Sequence, residues 1–169
     1  MDSQKEAQFL GSYKEYTDPL FRYCYFKTLN KEEATDMVQE TFIKTWDYIR
    51  KGGEVDNMKA FLYRTAHNIV IDHYRKKKSV SLDDLFEQGF DTDTGSDTAL
   101  DLEHKIDGRQ ALALLEKIPE TYREVIFMQY VEELSVKEIA EILGESPNNV
   151  SVKIHRGLEK IRNIYKEHE

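Results

Sequence analysis

A single cysteine, Cys24, is all the chain contains. A lone thiol closes no internal disulfide and builds no cysteine-rich zinc site. Three prolines and eight glycines among 169 residues leave few breaks, so helix is the expected state nearly everywhere. No apolar run approaches the roughly 20 residues that a membrane-crossing helix needs. The opening stretch MDSQKEAQFLGSYKEY is charged throughout and carries no apolar signal segment. These absences predict a soluble, cytoplasmic protein with no membrane insertion. Hydrophobic residues make up 40% and charged ones 33%, enough for modest cores in one domain or two small ones.

Charge is unevenly placed. The stretch DHYRKKKS holds four adjacent cations, Arg75, Lys76, Lys77 and Lys78, in a chain of net charge −8. A solvated helix end is the plain explanation, since cations in a last turn complement the helix dipole. A contact for a polyanion is the sharper one. From Asp83 to Asp107 there are nine acids and one base, Lys105. Taken from the chain's 32 acids and 24 bases, that segment leaves 23 of each. The negative charge is thus concentrated in one connector, which favours the polyanion reading. Within it QGFDTDTGSDT has no apolar period and reads as a flexible linker. The expected organisation is a helical domain over 1–78, an acidic linker over 79–105 and a second helical domain over 106–169.

Helix boundaries follow from capping chemistry. Asp18-Pro19 reads as a helix start, because proline at the first helical position lacks only a donor that would be orphaned anyway. Asn30 followed three residues later by Glu33 is a second start. Ala34, Val38, Phe42, Thr45 and Ile49 then recur at helical spacing and predict one buried face. The run RKGG, residues 50–53, closes that helix, and Asp56 or Asn57 caps the next. The third helix sets Leu62, Thr65, Ala66, Ile69 and His73 on one face and Arg64, Asn68, Ile71 and Arg75 on another. In the second domain Leu112, Leu115 and Ile118 lead to Pro119, which opens a helix carrying Tyr122, Val125, Ile126 and Gln129-Tyr130.

Ser135 and Glu138 form a capping box. Ile139, Ala140, Ile142 and Leu143 supply the buried side of a short helix, and Gly144 stands where a left-handed C-terminal residue is wanted. Ser146-Pro147 starts another helix at once, with Val150, Ile154, Leu158 and Ile161 on its inner face. Helix, tight turn and helix is the arrangement that places the second helix in the DNA major groove. Its outer side carries Asn148, Asn149, Ser151, Lys153, His155, Arg156 and Lys160. Asn pairs with adenine edges, Arg and Lys with guanine or phosphate.

The stretches ATDMVQETFIKTW and AFLYRTAHNIVIDHYRKKK, followed by LEKIPETYREVIFMQYVEELSVKEIAEILGESPNNVSVKIHRGLEKIR, resemble a bacterial RNA polymerase sigma factor of the extracytoplasmic-function type. The resemblance spans nearly everything outside the connector and the ends. It implies an all-α protein of two small domains, the C-terminal one a helix-turn-helix, that directs core polymerase to promoters and catalyses nothing. It implies that Asp36, Gln39, Glu40 and Phe42 dock on the β′ clamp, with a further contact to the β flap. Asn57 and Asn68, with the loop Gly53 to Met58, would capture bases of the promoter −10 element. Tyr63, His67 and Tyr74 offer aromatic faces for an unpaired base, and Arg75 to Lys78 would meet phosphates. The helix-turn-helix residues would read the −35 element. Ser151, Val152 and Leu158 depart from the family's usual residues, which shifts that reading toward Lys153, His155 and Arg156. An anti-sigma factor is an implied partner; no cofactor or metal is.

Two other readings compete. A stand-alone repressor needs a ligand pocket or dimer interface that the sequence does not advertise. A metal-dependent nuclease needs the connector's carboxylates, or His67, Asp72 and His73, to share Mg2+, and flexible polar segments make poor preorganised sites.

Overall fold

The computed structural model describes residues 3–80 and 113–167. The acidic connector, Leu112 and the expected start of the second domain near Ile106 lie outside the described residues. What is described is helical, in two compact units that divide near Thr98.

The first unit holds α1 (Ser3–Thr28), α2 (Lys31–Arg50) and α3 (Met58–Val80), each packed on the other two. Pro19 does not start a helix; it sits inside the 26-residue α1. An interior proline removes a backbone hydrogen bond at a cost of about 3 kcal/mol or more. Packing offsets that cost: Leu20, Tyr23 and Cys24, just beyond the proline, are fully buried. Helical stability in proteins comes mainly from such burial rather than from propensity. α1 ends where Leu29 takes a left-handed φ of 54° and its amide bonds the Tyr25 carbonyl at 2.8 Å.

Asn30 caps α2 as expected, its Oδ1 accepting from the Glu33 amide at 3.0 Å. Ala34, Val38, Phe42, Thr45 and Ile49 are all buried. The buried hydroxyls of Thr41 and Thr45 donate to the carbonyls of Met37 and Thr41, which satisfies them inside the core. Beyond Arg50 the chain turns through Gly52 at φ 97°. Asn57, rather than Asp56, makes the side-chain cap of α3: its Oδ1 accepts from the Ala60 amide at 3.0 Å. On α3 Leu62, Ala66 and Ile69 are buried, Thr65 and His73 half-buried, and Arg64, Asn68, Ile71 and Arg75 exposed.

In the second unit, Pro119 precedes α4 (Glu120–Ile126), and its carbonyl accepts from the Tyr122 and Arg123 amides at 3.1 Å. The Arg123 guanidinium reaches back to the carbonyls of Leu115, Glu116 and Ile118, gathering the end of the preceding helical turn. α4 then widens into a π-helical turn, Phe127–Val131, which buries Phe127 and Met128; ordinary α periodicity does not foretell that widening. α5 (Val136–Leu143) and α6 (Pro147–Glu167) follow. Val150 and Ile154 are buried, whereas Leu158 and Ile161 are only half-buried. Gly157 is the closest approach: a Cβ there would stand 2.5 Å from Ile126 Cδ1 and 3.0 Å from Tyr122 Cβ.

Gly157→Val therefore overpacks the α4–α6 contact and destabilises the second unit by about 1–3 kcal/mol. Urea unfolding followed by far-UV circular dichroism should show an earlier transition. Fluorescence of Trp46, the chain's single tryptophan, reports the first unit and should keep its midpoint.

Candidate nucleic-acid and partner interfaces

The outward face of α2 is built by helical spacing alone. Asp36, Gln39 and Glu40 are exposed, and Ile43, one turn further on, is 67% exposed. Residues three, four and seven apart share a face, so these four form one stripe, with Lys44 paired to Glu40 at 3.0 Å. Phe42 does not belong to it. It is buried, with its ring edge-on to Phe9 and Tyr13 of α1 at 6.1 and 4.8 Å. Its large apolar ring is worth more in the core than on a wet surface. Ile43 was missed by sequence reasoning, although its spacing from Asp36 was a usable signal.

The turn after α2 is held from beneath. Tyr48 lies so close under Gly53 that any Cβ there would come within 2.3 Å of its ring. The same ring stacks, tilted, on Phe61 of α3 with centroids 5.0 Å apart. Hydrogen bonds from Lys51 and Arg50 hold the Asp47 carboxyl below the usual carboxylate range. Behind this turn lies a cavity of about 210 Å³ lined by Lys5 and Gln8 of α1, Ile49, Gly53, Asp56 and Met58.

On α3, Arg64, Asn68, Ile71 and Arg75 stand outward in one row. Tyr63 and His67 point the other way, which corrects the expectation that their rings face a base. Tyr63 is fully buried, edge-on to Tyr23 at 5.6 Å. His67 Nδ1 shares a 3.0 Å hydrogen bond with the Tyr23 hydroxyl. Tyr74 keeps 38% of its surface exposed while its hydroxyl donates to the Lys27 carbonyl. Asn57 is exposed, but its side-chain oxygen is committed to the α3 cap.

The basic end of α3 is exposed from Arg75 to Lys78. Arg75 stands 4.0 Å from Asp72, and Lys77 Nζ lies 2.8 Å from Glu33 Oε1 at the start of α2. His73 Nε2 is 3.3 Å from the other Glu33 oxygen, without the alignment of a hydrogen bond. His67, Asp72 and His73 thus turn to three different partners instead of converging on one point.

The helix-turn-helix forms as its caps dictate. Ser135 Oγ accepts from the Glu138 amide at 3.1 Å, and Glu138 Oε1 accepts from the Ser135 amide at 2.9 Å. Gly144 is left-handed at φ 68°. Ser146 Oγ accepts from the Asn149 amide at 3.1 Å, starting α6. Asn148, Asn149, Ser151, His155 and Arg156 are exposed on its outer side. Lys160 is exposed too, with its ammonium 5.8 Å from the centre of the Tyr122 ring. Lys153 departs from expectation: it is half-buried and ion-paired with Glu145 in the turn. Its charge is already neutralised within the unit.

Two family models match the chain in order, "Sigma-70 region 2" over residues 12–80 and "Sigma-70, region 4" over residues 108–161. The ECF RNA polymerase sigma factor SigW of Bacillus subtilis (strain 168) is 33% identical over 162 residues, covering 87% of this chain and 83% of that protein. SigM of the same organism, likewise an ECF RNA polymerase sigma factor, is 28% identical over 156 residues, covering 90% and 92%. Among solved structures, the sigma factor RpoE in complex with the anti-sigma factor NepR from Bartonella quintana is similar in fold. Its TM-score is 0.72 at 18% identity, over 94% of this chain and 97% of that one.

Tyr23→Phe removes the hydrogen bond to His67 while keeping the ring. It should destabilise the first unit by about 1 kcal/mol, read as an earlier urea transition of Trp46 fluorescence.

Proposed function

The chain belongs to the extracytoplasmic-function RNA polymerase sigma factors of the sigma-70 family, and on that premise we propose how its residues share the work. Sigma factors of this type are initiation factors without catalysis: they direct RNA polymerase to promoters. The first domain, taken as 1–78, docks on core polymerase through the stripe Asp36, Gln39, Glu40 and Ile43 on the β′ clamp. It meets the −10 element through Asn68, the loop from Gly53 to Met58 and the cations Arg75, Lys76 and Lys78, while Lys77 is paired with Glu33. The second domain, taken as 106–169, rests on the β flap. It reads the −35 element through Asn148, Asn149, Ser151, His155, Arg156 and Lys160, and residues 79–105 connect the two.

Charge explains why two weak surfaces suffice. At net charge −8 the free protein is repelled by DNA. Once bound to polymerase, both surfaces meet one promoter together, and the second contact becomes intramolecular. The phosphate contacts of α3 supply affinity without sequence information, while exposed Asn and Arg side chains supply discrimination. Sequestration by an anti-sigma factor suits the same surfaces; RpoE, similar in fold, was solved in complex with the anti-sigma factor NepR. The site of action is the cytoplasm; among the described residues no helix is long and apolar enough to cross a membrane.

The ordered match to both sigma-70 regions carries this reading. Run-off transcription tests it: core polymerase given this protein should start RNA at a promoter it ignores alone, and unchanged start sites would refute it. Asn68→Ala should reduce discrimination among −10 variants at one base position by about tenfold or more, with binding to core polymerase unchanged. Equal loss on every −10 variant would remove Asn68 from the reading set.

A further inference from the structure

The four cations at the end of α3 are not equally placed. Arg75 and Asp72 stand 4.0 Å apart with more than half of each side chain exposed, a pair that contributes little and separates readily. Lys77 is held more closely. Its ammonium lies 2.8 Å from Glu33, whose side chain is only 24% exposed and belongs to another helix. Glu33 sits in the first turn of α2, where the helix dipole favours a negative charge. Its second oxygen lies 3.3 Å from His73, one turn before Lys77 on α3. One carboxylate therefore gathers two side chains of the basic end against the start of α2.

We propose that Glu33 is a positioning residue that withholds Lys77 from phosphate, so that the run Arg75 to Lys78 delivers fewer contacts than its four charges suggest. The proposal rests on the reading of this run as a phosphate-contacting surface. A lysine neutralised by a carboxylate gains less from a phosphate, because breaking the pair leaves an anion facing DNA. Lys78, exposed on the same helix end, is an internal reference. Glu33 thus sets how much sequence-independent grip this surface has, and with it how far the −10 bases decide where polymerase stays.

Affinity of the reconstituted holoenzyme for forked promoter DNA, measured across a salt series, tests this. Each phosphate contact contributes a slope of about 0.7 to 0.9 in log K against log salt. Glu33→Gln should steepen the slope by that amount and raise affinity about two- to fivefold at 0.1 M salt. Glu32→Gln, the same charge change on an exposed neighbour, should leave the slope as it was. Lys77→Ala should have no effect on the slope of the native protein, yet abolish the gain in the Glu33→Gln background. Lys78→Ala should flatten the slope by one contact. If Lys78→Ala flattens it while Glu33→Gln leaves it unchanged, or if Lys77→Ala alone flattens it equally, Glu33 withholds nothing and the proposal fails. If neither lysine substitution changes any slope, the phosphate reading falls and the proposal with it.

Discussion

The hydrogen bond between Tyr23 and His67 sets α3 in rotation against α1, and what the first unit offers its surroundings follows from that setting. Each helical residue turns about 100° from the last, following from 3.6 residues per turn. With His67 drawn inward to Tyr23 and Tyr63 packed beside it, Asn68 and Arg64 have no place but the outside. Continued along the helix, the same phase brings Arg75 to the surface and His73 toward α2. A buried polar pair demands a specific partner where an apolar contact does not, so it specifies register more sharply than Leu62 or Val70 beside it.

The second unit reaches a defined outer face by a different route. Its turn chemistry is local: Ser135 with Glu138 fixes where α5 begins, the left-handed Gly144 where it stops, and Ser146 with Pro147 where α6 starts. Gly157 then lets α6 settle against Tyr122 and Ile126 of α4. The polar row from Asn148 to Arg156 is what remains outward after that packing. In both units the outer face is made by what the opposite side of a helix must bury.

What could be read from the sequence divides along the same line. Caps were legible because they depend on residues within one turn of each other: Asn30, the Ser135 box, Gly144 and Ser146 all form as their chemistry dictates. The buried face of α2 was legible from spacing alone. Pro19 misled because its local preference for a helix start is outweighed by burial of Leu20, Tyr23 and Cys24. The family resemblance turns Phe42 outward and residue type does the same for Tyr63 and His67, yet their partners come from a different helix. Lys153 reads as a contact from sequence because Glu145, which neutralises it, lies eight residues away across a turn. In each case the missing information was which group stands opposite in space.

Gly53 and Tyr48 carry a consequence for how such a protein changes over generations. Because a Cβ at position 53 would collide with the Tyr48 ring, a side chain there arrives only with a shift of that exposed ring. A larger residue at 53 goes with a displaced or smaller side chain at 48. The Tyr48 hydroxyl also donates to the Glu54 carbonyl, so displacing the ring loosens the far side of the turn as well.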